Sequence, residues 1–350
     1  MSSATIASLS LISKQLIIYS GIFCFTLGMI GAVLNILIFL SLKIFRQNSC
    51  TFYLTIMSIS NIGQIFLVIL ADFMNVGYSI DWSRNSLFYC KLRPLCFHVI
   101  RLTSSTSLCL ATVDQYLSTC SRPQWQQWAN IKFAHRLIII FISVWIIIEL
   151  PCLIYYTHII SSTTGQTSCI ITNEIFTKFN YYFTEMIAWH FLPLLVTLLF
   201  GILAFYNIKQ IAHRTVPLVR RQLDKQLTIM VFLQVLFNFI VVVPYLIIVF
   251  ILRYGNIIIQ NNIYTAVLLF LYNLFVCFYY LYFAVSIKRH FISILEKIHF
   301  SFFIFSVHFM YIYVYRKGFV DNYYLYCLKS IHINGDDNIS LLIKYILKHK

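Results

Sequence analysis

The sequence predicts an all-α membrane protein: a seven-transmembrane helix bundle with an amphipathic surface helix after span seven. Three observations predict it. Seven apolar stretches are each long enough to cross a bilayer. Basic residues gather in alternate connecting segments. Two cysteines, Cys90 and Cys169, stand apart from the other eight on one side of those stretches.

The chain has 350 residues, 60% hydrophobic and 11% charged, with a mean hydropathy of +0.81. A soluble domain of this length cannot hide that much apolar surface, whereas lipid dissolves it. A span needs about 20 apolar residues. The stretches run over 17–42, 51–74, 94–117, 137–160, 182–207, 227–252 and 263–287. Backbone groups in lipid must bond within their own segment, so continuous runs such as these are helices. A β-barrel would instead show alternating segments of about ten residues.

Charge sets the expected orientation. With the N-terminus outside, the inner loops hold ten Lys and Arg, including Lys43, Arg136 and Arg220, while the outer segments hold six. That excess is the inside signature of a multi-pass protein. The net charge of +15 therefore reads as topology and not as a nucleic-acid surface. The first span reads as a signal anchor, since the N-terminus lacks the basic start and cleavage site of a signal peptide. The expected domains are a short extracellular tail (1–16), a transmembrane domain (17–298) and a C-terminal tail (299–350) that is assigned no function.

The other eight cysteines lie in spans or on the reducing side. Cys90 and Cys169 make a disulfide candidate, with two free thiols as the alternative. No His/Cys spacing resembles a metal site, and no cofactor is implied. No paired carboxylates or nucleophile–base set points to an enzyme. After the seventh stretch, Phe291, Ile294, Leu295 and Ile298 recur at helical spacing among Lys288, Arg289 and Lys297. This reads as a helix lying on the inner membrane surface, with a cytosolic extension of the seventh span as the alternative.

The order of single residues then matters. Gly31 and Asn35 lie in the first span, and Leu54 to Asn61 in the second. Cys90 precedes Asp114-Gln115-Tyr116 in the third. Trp145 and Pro151 mark the fourth, Pro193 the fifth, Pro244 the sixth and Tyr282 the seventh. Over about 31–291 this pattern resembles the rhodopsin-like G-protein-coupled receptors, most of all the divergent invertebrate peptide or chemosensory type. The resemblance implies a plasma-membrane receptor, an extracellular ligand, a heterotrimeric G protein as partner and a disulfide from the third helix to the second outer loop. It makes Asp114, Gln115, Tyr116, Pro244 and Tyr282 the activation switch. Asn35, Asn61, Trp145, Pro193 and Trp82 become structural.

Several switch positions depart from the family pattern. Gln115 stands for the arginine of Asp-Arg-Tyr, and a glutamine cannot hold an ion pair. Asp114 thereby loses its usual partner. Asn61 replaces a carboxylate that holds sodium in many relatives, and a neutral amide is a poor ligand for a hard cation. Val242 takes the place of the sixth-helix tryptophan. Phe278 and Tyr279 replace the seventh-helix asparagine and proline.

An ionisable residue within a span is a functional candidate by default. Arg101 precedes Gln115 by 14 residues, almost four turns, so the two share a helix face about 21 Å apart. Glu185 lies eight residues before Pro193, where the resemblance directs fifth-helix side chains into the cavity, and is its expected partner. The ligand-binding candidates are Arg101, Glu185, Asp72, Trp189 and His190. A ligand's charged group would compete for the Arg101–Glu185 pair; a permanent ion pair that only orders the bundle is the alternative. Glu149 either faces a neighbouring helix or snorkels outward. Two rivals to a signalling receptor remain at this stage: a non-signalling decoy or scaffold of the same fold, and a channel or transporter. The latter class shows internal repeats, and none is visible here.

Overall fold

A computed structural model describes residues 2–41, 43–160, 165–211, 218–254 and 262–285, all within one compact unit, Met1–Ile287. Seven helices form a bundle: α1 (Ser2–Ser41), α2 (Ser49–Tyr78), α3 (Leu87–Thr119), α4 (Ile131–Tyr155), α5 (Glu174–Ile208), α6 (Leu218–Tyr254) and α7 (Asn262–Val285). Six are long and apolar enough to cross a membrane, and α7 holds a shorter apolar stretch, Thr265–Tyr279. The surface-helix segment, the tail beyond it and the Tyr282 side chain lie outside the described residues.

The bundle is organised for lipid. Large aliphatics such as Ile139, Ile147, Leu199 and Ile247 face outward, while Asn35, Asn61, Gln64, Ser104, Ser107 and Thr112 are buried. Small and hydroxyl residues let helices approach and bond across the interface. Gly63 is one such point: a Cβ there would meet Ile100 of α3 at 3.1 Å.

The helices start earlier than their apolar runs, because capping side chains set the first turn. Asn48 caps α2 at the Thr51 amide (3.2 Å). Ser86 caps α3 at Tyr89 (3.3 Å), Asn130 caps α4 at Lys132 (3.0 Å), and Asn173 caps α5 at Phe176 (2.9 Å). Each satisfies an otherwise orphaned amide. Pro94, where the third apolar run opens, therefore sits inside α3. Helix α1 runs 40 residues from Ser2, about 60 Å, so the segment expected as a tail is helical.

The fourth span was expected to reach residue 160, and its end needs correcting. The helix turns at Pro151 and stops at Tyr155. Tyr156–Ile160 is instead strand β1, paired antiparallel with β2 (Thr167–Ile171). An apolar run alone does not separate helix from strand; here the β-branched Thr157, Ile159 and Ile160 find a partner strand. His158 lies opposite Cys169 in this hairpin. The Cys90–Cys169 disulfide, with Cα atoms 5.8 Å apart, pins the hairpin to α3.

Two helices depart from α geometry. Ile65–Leu70 in α2 and Asn180–Phe191 in α5 are π-helical. Such wide turns are rare and concentrate at functional sites. Both segments border the same cavity.

Candidate functional site

The cavity opens at the disulfide end of the bundle and measures about 690 Å³, within the range of small-ligand pockets. Cys90, Cys169 and Tyr156 line it, as do Asp72, Arg93, His98, Arg101, Glu185, Trp189 and His190. Aromatic side chains from α6 and α7, Tyr245, Tyr272 and Tyr279, complete the lining.

Arg101 and Glu185 meet, the pairing expected from the family resemblance and the need of an interior charge for a partner. One guanidinium nitrogen of Arg101 donates to Glu185 Oε1. Arg101 is 4% exposed, while the Glu185 side chain keeps 27% exposure, on the cavity side. The guanidinium also lies over the Trp189 indole and 4.5 Å from the Phe97 ring centroid. Cation–π contacts of this kind strengthen as water is excluded. Arg101 Nε is buried without a hydrogen-bond partner. The arginine is thus held on one edge and on its faces, with donor capacity left over.

The other expected residues take definite places. His190 is buried, with Nδ1 2.6 Å from the Glu185 carbonyl, and its ring stacks on Tyr245 (5.6 Å). Trp189 packs edge-on against Tyr279 (5.6 Å). Asp72 lies 3.6 Å from Arg93, an ion pair that spacing did not reveal. At the rim, Trp82 packs against Tyr89 (6.3 Å). Asp81 caps the same turn through Ser83 (3.0 Å). Partial burial raises its carboxyl pKa, but bonds from Ser83 and Arg84 outweigh that and hold it below the usual range.

Three side chains form a deeper cluster. Glu149 is 1% exposed; it neither snorkels nor faces lipid. His98 Nδ1 lies 2.8 Å from Glu149 Oε2, and the Cys152 thiol donates to the same oxygen (3.5 Å). Thr184 donates to Oε1 (3.0 Å). His98 Nε2 lies 4.0 Å from Glu185 Oε1. Nothing in the spacing of His98 and Glu149, on different helices, announced this contact.

The sequence model of the family described as 7 transmembrane receptor (rhodopsin family) matches residues 31–286. The chain belongs to that family. No curated protein matches the receptor by sequence.

In the receptor's opposite half, the switch positions have found other partners. Asp114 accepts a hydrogen bond from Ser49 of α2 (2.7 Å). Gln115, 1% exposed, accepts from Thr228 of α6 (2.7 Å). Tyr116 packs against Phe200 of α5 (5.5 Å). Asn61 accepts from Ser104 (2.7 Å), and Trp145 donates to Thr106 (3.0 Å). Asn35 is buried. Pro193 gives its carbonyl to Thr197 (2.7 Å). Pro244 lies within α6, one residue before the cavity-lining Tyr245.

Proposed function

We propose that this receptor binds an extracellular ligand, a peptide or small molecule, in the cavity around Arg101 and signals to a heterotrimeric G protein. It does so at the plasma membrane, with the N-terminus outside and the C-terminus in the cytoplasm. One observation carries the reading: a buried arginine, aimed into a cavity of ligand size, shares its carboxylate partner with that cavity. A ligand carboxylate would take Arg101 from Glu185, and a ligand amine would take Glu185 from Arg101. Either exchange keeps the captured residue paired but releases its former partner, whose charge must then find another contact in the cavity. Asp72 and Arg93 offer a second charged pair nearer the rim. Trp189 and His190 would transmit the change to α6 and α7 through Tyr245 and Tyr279.

The test is G-protein activation in cells expressing the native chain across a ligand panel, beside Arg101→Ala and Glu185→Ala. Surface expression is matched by antibody labelling. A response from the native chain that either variant loses is the expected result. Normally expressed variants with unchanged responses would remove the pair from the ligand site.

A second reading is a silent binder of the same fold. The Gln115–Thr228 hydrogen bond favours it, because it occupies the position where the family carries its switch arginine. Gln115→Arg distinguishes the two: signalling by the variant alone would make the native chain a decoy.

A further inference from the structure

We infer that His98, Glu149 and Cys152 form a binding site for a zinc-class divalent cation beside the ligand cavity. Among the described residues, these three present an imidazole nitrogen, a carboxylate oxygen and a thiol sulfur, all within 4.8 Å of one another and all buried. That donor set suits zinc and its soft neighbours. It does not suit sodium, magnesium or calcium, which favour oxygen-rich shells.

The geometry is close to what coordination requires. Around a tetrahedral zinc, nitrogen and oxygen ligands stand about 3.3 Å apart, and sulfur and oxygen about 3.6 Å, from the usual bond lengths. Here His98 Nδ1 and Glu149 Oε2 are 2.8 Å apart, and Cys152 Sγ and Oε2 are 3.5 Å apart. A shift of about half an ångström parts histidine and carboxylate enough for the ion, and the imidazole nitrogen and thiol sulfur, within 4.8 Å of each other, must then stand about 3.6 Å apart. Glu149 and Cys152 lie at i and i+3 across the Pro151 turn, so both face α3. His98 meets them from α3 itself. Facing helices supplying inward ligands is the usual construction of a metal site within a bundle.

The surroundings are already arranged for this task. Thr184 holds Glu149 Oε1 (3.0 Å), which leaves Oε2 directed at His98 and Cys152. If His98 binds metal through Nδ1, its Nε2 carries the proton and faces Glu185 Oε1, 4.0 Å away. At that distance Glu185 acts on the ring electrostatically; a closer approach on metal binding would let it orient the ring as carboxylates behind metal-bound histidines do. His98 also lines the cavity, which supplies an access route.

Charge balance is preserved. Zinc brings two positive charges. The Cys152 thiol gives up its proton on binding, and His98 binds as a neutral imidazole with Nδ1 free of its proton. A thiolate, a carboxylate and a neutral imidazole then neutralise the ion, so no net charge enters the membrane interior. Three protein ligands leave a fourth position exchangeable. Through His98 and Glu185, an occupied site would tune the ligand cavity; that consequence rests on the function proposed above, whereas binding of the metal does not.

The experiment uses the purified full chain, stripped with chelator and titrated with cobalt(II). The expected result is one cobalt per chain, with a near-ultraviolet thiolate-to-cobalt band that zinc abolishes by displacement. Cys152→Ser loses the band, and His98→Ala loses stoichiometric binding. No binding, or a band that survives in Cys152→Ser, overturns the proposal. Should a variant fail to fold, zinc-edge X-ray absorption of the native chain decides. One sulfur near about 2.3 Å with nitrogen and oxygen near about 2.0–2.1 Å supports the site, and any other shell removes it. The readout needs no ligand, so its failure leaves the receptor reading untouched.

Discussion

Thr228 of α6 donates its hydroxyl to Gln115 Oε1 of α3 at 2.7 Å, with Gln115 fully enclosed. A neutral hydrogen bond thus ties together two helices at the place where the resemblance implies an ion-pairing arginine. Such a bond contributes about 1 kcal/mol net, a modest latch. It leaves Gln115 Nε2 buried without a hydrogen-bond partner, which weakens the tie further.

Removing that latch should raise basal signalling. Thr228→Ala is expected to shift the resting equilibrium about fivefold toward the active state, by the loss of about 1 kcal/mol. Thr228→Ser, which keeps the hydroxyl, should not. Nucleotide exchange on a purified G protein without ligand measures both. Equal basal rates in the native chain and Thr228→Ala would mean that the bond does not restrain α6.

The Arg101–Glu185 pair should show strong coupling in stability. Truncating either partner leaves the other charge without its ion-pair partner, at a cost of about 3 kcal/mol. The double variant Arg101→Leu, Glu185→Leu should lose less than the two single losses added together. Thermal unfolding in detergent supplies the cycle. Additive losses would show that the contact contributes nothing to folding.

The disulfide joins residues separated by 79 positions. Closing a loop of that size removes unfolded-state entropy worth about 4.5 kcal/mol. Cys90→Ser and Cys169→Ser should therefore lower the unfolding midpoint by similar amounts. The double variant should be no worse than either single one. A mild reductant should reproduce the shift in the native chain but not in the variants.

Sodium should matter little. Asn61 Oδ1 is already engaged by Ser104, and the amide carries no charge to balance a hard cation. Replacing sodium with choline at constant ionic strength should leave the native unfolding midpoint unchanged. Asn61→Asp should acquire a sodium-dependent stabilisation. A sodium effect of equal size in both proteins would show that the ion acts elsewhere.

The seven spans were legible because lipid imposes one rule on each: an apolar run long enough to cross and a backbone bonded within itself. The caps at Asn48, Ser86, Asn130 and Asn173 were also in the sequence, but hydropathy alone passed over them. The Arg101–Glu185 contact was foreseeable because helical periodicity places Arg101 on the face of Gln115, which the family resemblance turns inward along with Glu185, and an interior charge needs a partner. The end of α4 was not foreseeable, because an apolar run does not report the strand that waits eleven residues later.

What the sequence determined by itself was the set of membrane helices, the family resemblance and the presence of ionisable residues within the spans. What only the tertiary structure decided was which side chains meet across helices: His98 with Glu149 and Cys152, Asp72 with Arg93, and Gln115 with Thr228. Two π-helical segments shift the phase of α2 and α5 just beside the cavity, so counting at 3.6 residues per turn fails there. Local physics acts along one helix and is written in its period. Contacts between helices depend on where those periods slip, and packing alone sets that.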